Sequence, residues 1–141
     1  MPSNITFIDN STAVLEAKDQ AIAVALVAIG KQAMSHAKRN LKKAGAVDTG
    51  RLRNSIAHLV VEDEEAVYIG TNVKYAPYVE HGTGIYADNG MGRKDGWVYQ
   101  DDKGKWHFTR GQKPVHFLRN AAQNHAEEYK NIAKKYMKKT P

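Results

Sequence analysis

The chain has 141 residues, 42% of them hydrophobic and 26% charged, with a formal net charge of +6. Such a composition suits one globular domain around one core and excludes wholesale disorder. Cysteine is absent, which excludes a disulfide framework, a thiolate metal site and a cysteine nucleophile and suits a reducing cytosol.

The longest apolar run, Ala21 to Ile29, is well short of the ~20 residues that span a bilayer. Met1 to Asn10 has no basic region of the kind that opens a secretory signal. The expectation is a soluble product of the producing cell. The positive excess lies toward the C-terminus, where Gly111 to Pro141 holds seven Lys and Arg against two Glu. That excess fits nucleic acid, an acidic protein partner, or a solvated helix face whose last-turn lysines oppose the helix dipole.

Asp9-Asn10-Ser11-Thr12 offers capping side chains before a long helical pattern. Leu15, Ile22, Leu26, Ile29, Ala33, Ala37 and Leu41 recur at spacings of three, four or seven and fall on one face. Gly45 supplies a left-handed stop, and Gly30 marks a kink or a close approach. Next, Asp48 or Thr49 caps a short helical turn that carries Leu52 inward, with Gly50 allowing tight backbone approach. From Ile56 to Val61 the residues alternate as a strand does, Glu62 to Glu65 makes a turn, and Ala66 to Gly70 returns. This is a β-hairpin with Val67 and Ile69 on one face and Tyr68 on the other.

Tyr75 to Gly82 reads as a short helix with Pro77 in its first turn and Gly82 as its stop. Thr83 to Gly96 is glycine-rich and irregular. Trp97 to Gln100 and Lys105 to Thr109 then flank Asp101-Asp102-Lys103-Gly104, a turn between two aromatic strands. This second hairpin either extends the first into one antiparallel sheet or projects as an arm. After Pro114, an apolar stripe from Phe117 through Ala121, His125 and Tyr129 to Tyr136 predicts one C-terminal helix, with its final lysines fraying. The fold class is therefore α+β: an antiparallel sheet of hairpins packed against a long N-terminal and a C-terminal helix, in one domain over residues 1–141.

No catalytic constellation emerges. The six histidines include no His pair at metal-binding helical spacing, and His81 and His116 fall at element boundaries, where an imidazole commonly satisfies a backbone group. Glu80-His81-Gly82-Thr83-Gly84 faintly suggests an esterase oxyanion loop but lacks a nucleophile elbow. Gly82, Gly84, Gly90 and Gly92 match neither dinucleotide nor P-loop spacing. No cofactor and no metal is expected. Arg93, Lys94 and Arg110 flank the hairpin aromatics Trp97, Tyr99, Trp106 and Phe108. Basic residues among aromatics serve base stacking, and equally serve protein interface hot spots. Protein contact is the preferred reading, with a nucleic-acid-binding accessory protein as the alternative.

Taken together, Val47-Asp48-Thr49-Gly50-Arg51-Leu52-Arg53-Asn54-Ser55-Ile56, Ile69-Gly70-Thr71-Asn72, Tyr75-Ala76-Pro77-Tyr78-Val79-Glu80-His81-Gly82-Thr83 and Pro114 to Ala121 form an ordered series. The series resembles the phage minor-tail or head–tail connector family of lambda-like siphophages and their prophages, from about Val47 to Ala122. The resemblance implies a non-enzymatic virion component of the neck or proximal tail, often a ring, made in the host cytoplasm and joined to other connector or tail proteins, with DNA passing through the lumen. Asp48, Thr49, Gly50, Leu52, Tyr75, Tyr78, Val79, Glu80, Gly82, Phe117 and Leu118 are then mainly architectural, Asp48 and Thr49 fixing a turn, Gly50 permitting tight backbone approach, and Tyr75, Tyr78 and Val79 forming an apolar helix side. The segment from Met91 to Gly111, with its Trp-rich hairpin, looks like an insertion found in some members. The loop from Thr83 to Gly96 and the hairpin after it, with residues 84–111 as a projecting arm, are the candidate subunit contact.

Overall fold

The computed structural model describes residues 11–45, 49–101 and 103–138. Asp9, Asn10, Asp48, Asp102 and Lys139, which carry capping, turn and tail expectations, lie outside the described residues, as do the side chains of Leu15 and Thr49. The elements in order are helix α1 (Ser11–Ala44), helix α2 (Thr49–Ser55), strands β1 (Ala57–Val61) and β2 (Ala66–Gly70), helix α3 (Ala76–His81), strands β3 (Trp97–Gln100) and β4 (Trp106–Thr109), and helices α4 (Phe117–Gln123) and α5 (Ala126–Met137). The α+β class holds. No helix among the described residues is long and apolar enough to cross a membrane.

Helix α1 is the spine, about 50 Å long at 1.5 Å per residue. Gly45 ends it at φ +65°, its N–H donating to the Leu41 and Lys42 carbonyls at 3.3 Å. The expected stripe is buried at Ala33, Ala37 and Leu41 and half-buried at Ile22, Leu26 and Ile29. Gly30 marks a close approach: a Cβ there would stand 2.8 Å from the His58 ring and 2.9 Å from Val67. The β1–β2 hairpin thus sits directly on the helix backbone. The strands pair antiparallel, His58 opposite Ile69 and Val60 opposite Val67. On the other face Leu59 and Tyr68 lie opposite each other and are exposed.

The core lies at the C-terminal half of α1. Leu41, Leu52 and Phe117 are its largest fully buried side chains, joined by Ala37, Ile56, Val73, Ala76, Val79 and Ala121. Leu52 is carried inward by α2 as expected. The Ser55 hydroxyl donates to the Leu52 carbonyl at 2.6 Å and shares a hydrogen bond with Thr71, tying the exit of α2 to the segment after β2.

Three expectations need correction. Gly50 lies in α2, is exposed, and has open space where a Cβ would stand, so it serves no close approach. Tyr78 is 61% exposed and is not part of an apolar helix side facing the core, unlike buried Val79 and half-buried Tyr75. The C-terminal helix is broken at Asn124–His125. His125 leaves helical geometry (φ −125°, ψ 29°) and stacks on His36 of α1, ring centroids 3.5 Å apart. The Tyr129 hydroxyl donates to the Ala121 carbonyl across the break. The bend lets α4 and α5 each pack along α1.

The two hairpins form separate two-stranded sheets. Of the two readings left open by the sequence, the single continuous sheet is excluded.

Candidate assembly surface

A backbone frame carries the second hairpin. Gly82 stops α3 at φ +81°, its N–H donating to the Tyr78 carbonyl at 2.9 Å. The chain after β4 then runs back beside the end of α3. The N–H groups of Thr83 and Ile85 donate to the carbonyls of Gln112 and Arg110, while those of Val115 and His116 donate to Val79 and Glu80. Gly84 (φ +61°) permits this lacing, because a Cβ there would overlap the Arg110 carbonyl oxygen. The loop glycine therefore serves close backbone packing.

Glu80 anchors the frame. It is buried, and its two carboxylate oxygens accept the Leu118 and Arg119 N–H groups at 2.8 and 3.0 Å. These donors open α4 and have no partner within their own helix. A buried carboxylate on α3 thereby caps α4 and docks Phe117 and Leu118, Phe117 fully buried and Leu118 partly so. No sequence rule links a carboxylate to a helix start 38 residues away, so this role was not legible from spacing.

Register sorts the hairpin into two faces. Val98 pairs with Phe108 and Gln100 with Trp106, while Trp97 pairs with Thr109 and Tyr99 with His107. Because side chains alternate along a strand, Val98, Trp106 and Phe108 share one face. All three are exposed, each by more than 60%. Trp97, Tyr99 and His107 lie on the opposite face. There the Arg93 guanidinium sits over the Trp97 ring at 5.6 Å and Tyr99 stacks on His107 at 5.2 Å. The turn is fixed by Asp101, which accepts the Lys103 and Lys105 N–H groups and meets His107 Nε2 at 2.8 Å. The His107 hydrogen bond, followed by that of the Lys105 N–H, holds the Asp101 carboxyl below its ordinary range.

The seven candidate contact residues do not form one patch. Trp106 and Phe108 belong to the apolar face with Val98, which sequence reading passed over because it is aliphatic. Trp97 and Arg93 line a groove of about 820 Å³ with Tyr78, His81, Asp88 and Met91. Lys94 turns back to the Gly90 carbonyl at 3.0 Å, and Arg110 contributes its carbonyl to the lacing. His81 and His116 face Asp88 through their rings, so side-chain contacts replace the backbone role expected of them.

Between α1 and α5, buried His36 meets Glu128 at 2.6 Å, and Gln32 reaches the same carboxylate. The His36 hydrogen bond is the chief cause holding the Glu128 carboxyl below the ordinary glutamate value. Lys130, Lys134 and Lys135 lie exposed along α5, and Lys138 is exposed just after it.

Residues 6–82 match the family model described as "Bacteriophage HK97-gp10, putative tail-component". No curated protein and no solved structure gives a significant match. The matched stretch covers more than half of the chain and takes in α1, α2, the first hairpin and α3. It ends at Gly82, so the groove loop, second hairpin and C-terminal helices lie beyond it. The chain belongs to the HK97-gp10-like family of bacteriophage tail components.

Proposed function

We propose that the chain is a structural, non-catalytic subunit of the virion, placed at the neck or proximal tail, that assembles with copies of itself into a ring completing the head–tail joint. The observation that carries the ring is the exposed face of Val98, Trp106 and Phe108. It stands on a hairpin whose sheet is separate from the one packed on α1. A ring needs two different complementary patches on each subunit, related head to tail. The hairpin supplies one patch, and the second is an apolar surface on the neighbour. Clustered aromatics are the residues that dominate the energetics of protein interfaces.

The architectural roles follow the core. Leu52, Tyr75, Val79, Glu80, Gly82, Phe117 and Leu118 hold the frame from which the hairpin projects. Nucleic acid is the weaker reading: on the groove face Arg93 lies over Trp97 and Tyr99 stacks on His107. Base stacking needs free ring faces, which leaves Trp106 and Phe108 of the four hairpin aromatics to supply them.

The test replaces Trp106 and Phe108 together by Ser and follows particle assembly by complementation. The variant is expected to stay folded, because both side chains are exposed, and to give no joined, infectious particles. Normal particle yield from the double variant contradicts the interface. Steep salt-dependent DNA binding by the isolated chain, lost in the same variant, supports the nucleic-acid reading instead.

A further inference from the structure

We infer that His81, Asp88 and His116 form a binding site for a divalent transition-metal ion of the zinc type. The three side chains come from the end of α3, the loop after it, and the residue before α4. Two backbone hydrogen bonds bring them together: Asp88 N–H donates to the His81 carbonyl at 2.9 Å, and His116 N–H to the Glu80 carbonyl at 3.1 Å. Potential ligand atoms of all three residues lie within 4.8 Å of one another.

Each imidazole stands from one of the two carboxylate oxygens at about the spacing of neighbouring zinc ligands. His81 Nδ1 stands 3.2 Å from one Asp88 carboxylate oxygen, and His116 Nε2 stands 3.4 Å from the other. Zinc bonds to nitrogen and oxygen of ~2.0–2.1 Å at tetrahedral angles place neighbouring ligand atoms ~3.3 Å apart. The two rings stand edge to face, centroids 6.3 Å apart, so their nitrogens approach the carboxylate from different directions. Two imidazoles and one carboxylate form a three-ligand set of the kind that leaves a fourth position open. His81 and Asp88 line the groove beneath the second hairpin, where water or a neighbour's side chain reaches that position.

Two features of His116 are otherwise unexplained. Its backbone is left-handed (φ +54°, ψ +42°), uncommon for a residue with a Cβ. Such strain concentrates at functional sites. Its Nδ1 is buried and has no hydrogen-bond partner among the described residues, while the Glu80 carboxylate stands 3.9 Å away. An ion on Nε2 fixes the proton on Nδ1, facing that carboxylate. A carboxylate behind a ligating histidine is the usual outer support of a zinc site. The other histidine cluster, His36, His125 and Glu128, lacks this geometry. Its rings are stacked within 5° of parallel, so their in-plane lone pairs do not converge on one point.

The test is calorimetric titration of Zn²⁺ into the chelator-treated, tag-free full chain, with circular dichroism to verify folding. One ion per chain is expected, with His81→Ala and Asp88→Ala each weakening binding by about tenfold or more. His107→Ala and His125→Ala are expected to leave binding unchanged. The Co²⁺-loaded unmutated chain, which needs no substitution, is expected to show the intense visible absorption of a tetrahedral site. Absence of saturable binding, or binding that survives Asp88→Ala or is abolished by His125→Ala, overturns the assignment.

Discussion

Removing the Glu80 carboxylate tests the buried anchor beneath the hairpin. Its oxygens accept the N–H groups of Leu118 and Arg119 at 2.8 and 3.0 Å. Hydrogen bonds to a charged group contribute roughly 1.5–3 kcal/mol each to stability. Glu80→Ala leaves two donors at the start of α4 without their acceptors, and a loss of about 3–5 kcal/mol is expected. At this chain length that corresponds to a fall of very roughly 10 °C in Tm. Glu80→Gln keeps one acceptor oxygen and is expected to lose about half as much. Urea unfolding followed by circular dichroism measures both variants, with an unchanged m-value showing that the same surface unfolds. A loss below ~1 kcal/mol for Glu80→Ala, or equal losses for Ala and Gln, refutes the capping role.

Gly30→Ala is expected to destabilise by about 1–3 kcal/mol despite the better helix propensity of Ala, because its Cβ meets His58 and Val67. In the His58→Ala background the same change is expected to cost less, and a double-mutant cycle in urea reads the difference. Phe117→Ala, at a fully buried position, is expected to cost about 3–5 kcal/mol by the same assay. Because the Glu128 carboxyl is held below its ordinary value, chiefly by His36, its stabilising contribution is complete above the ordinary glutamate range. It is lost as pH falls through the depressed folded value. Glu128→Gln is accordingly expected to flatten the acid limb of stability against pH.

Local signals made the elements legible. The period of α1, the alternation from Ala57 to Val61, the Pro77 start and the Gly82 stop all act within a few residues, and the structure keeps each of them. Gly30 was legible as an anomaly, but only the hairpin packed upon it decided between a kink and a close approach. The break at His125 escaped because the apolar period runs through it. The helix bends there to stack His125 on His36, a contact across 89 positions that no local pattern contains. Tyr78 was misplaced for a related reason: on a helix of six residues, a rotation of less than half a turn separates core from surface, and neighbours decide it. The hairpin aromatics were visible in sequence, but their division into an apolar face and a groove wall needed the register. The triad of His81, Asp88 and His116 was hidden by the same distance, since its members meet only when the strand-like return after β4 is laced to the end of α3.

The family makes the chain a phage tail component, and the function we propose for it is to complete the joint between head and tail as a structural subunit. Electron microscopy of particles from a phage lacking this gene tests that proposal. Separate full heads and unattached tails, restored to joined particles by the intact gene supplied in trans, are the expected result. Joined, infectious particles in the gene's absence contradict the claim.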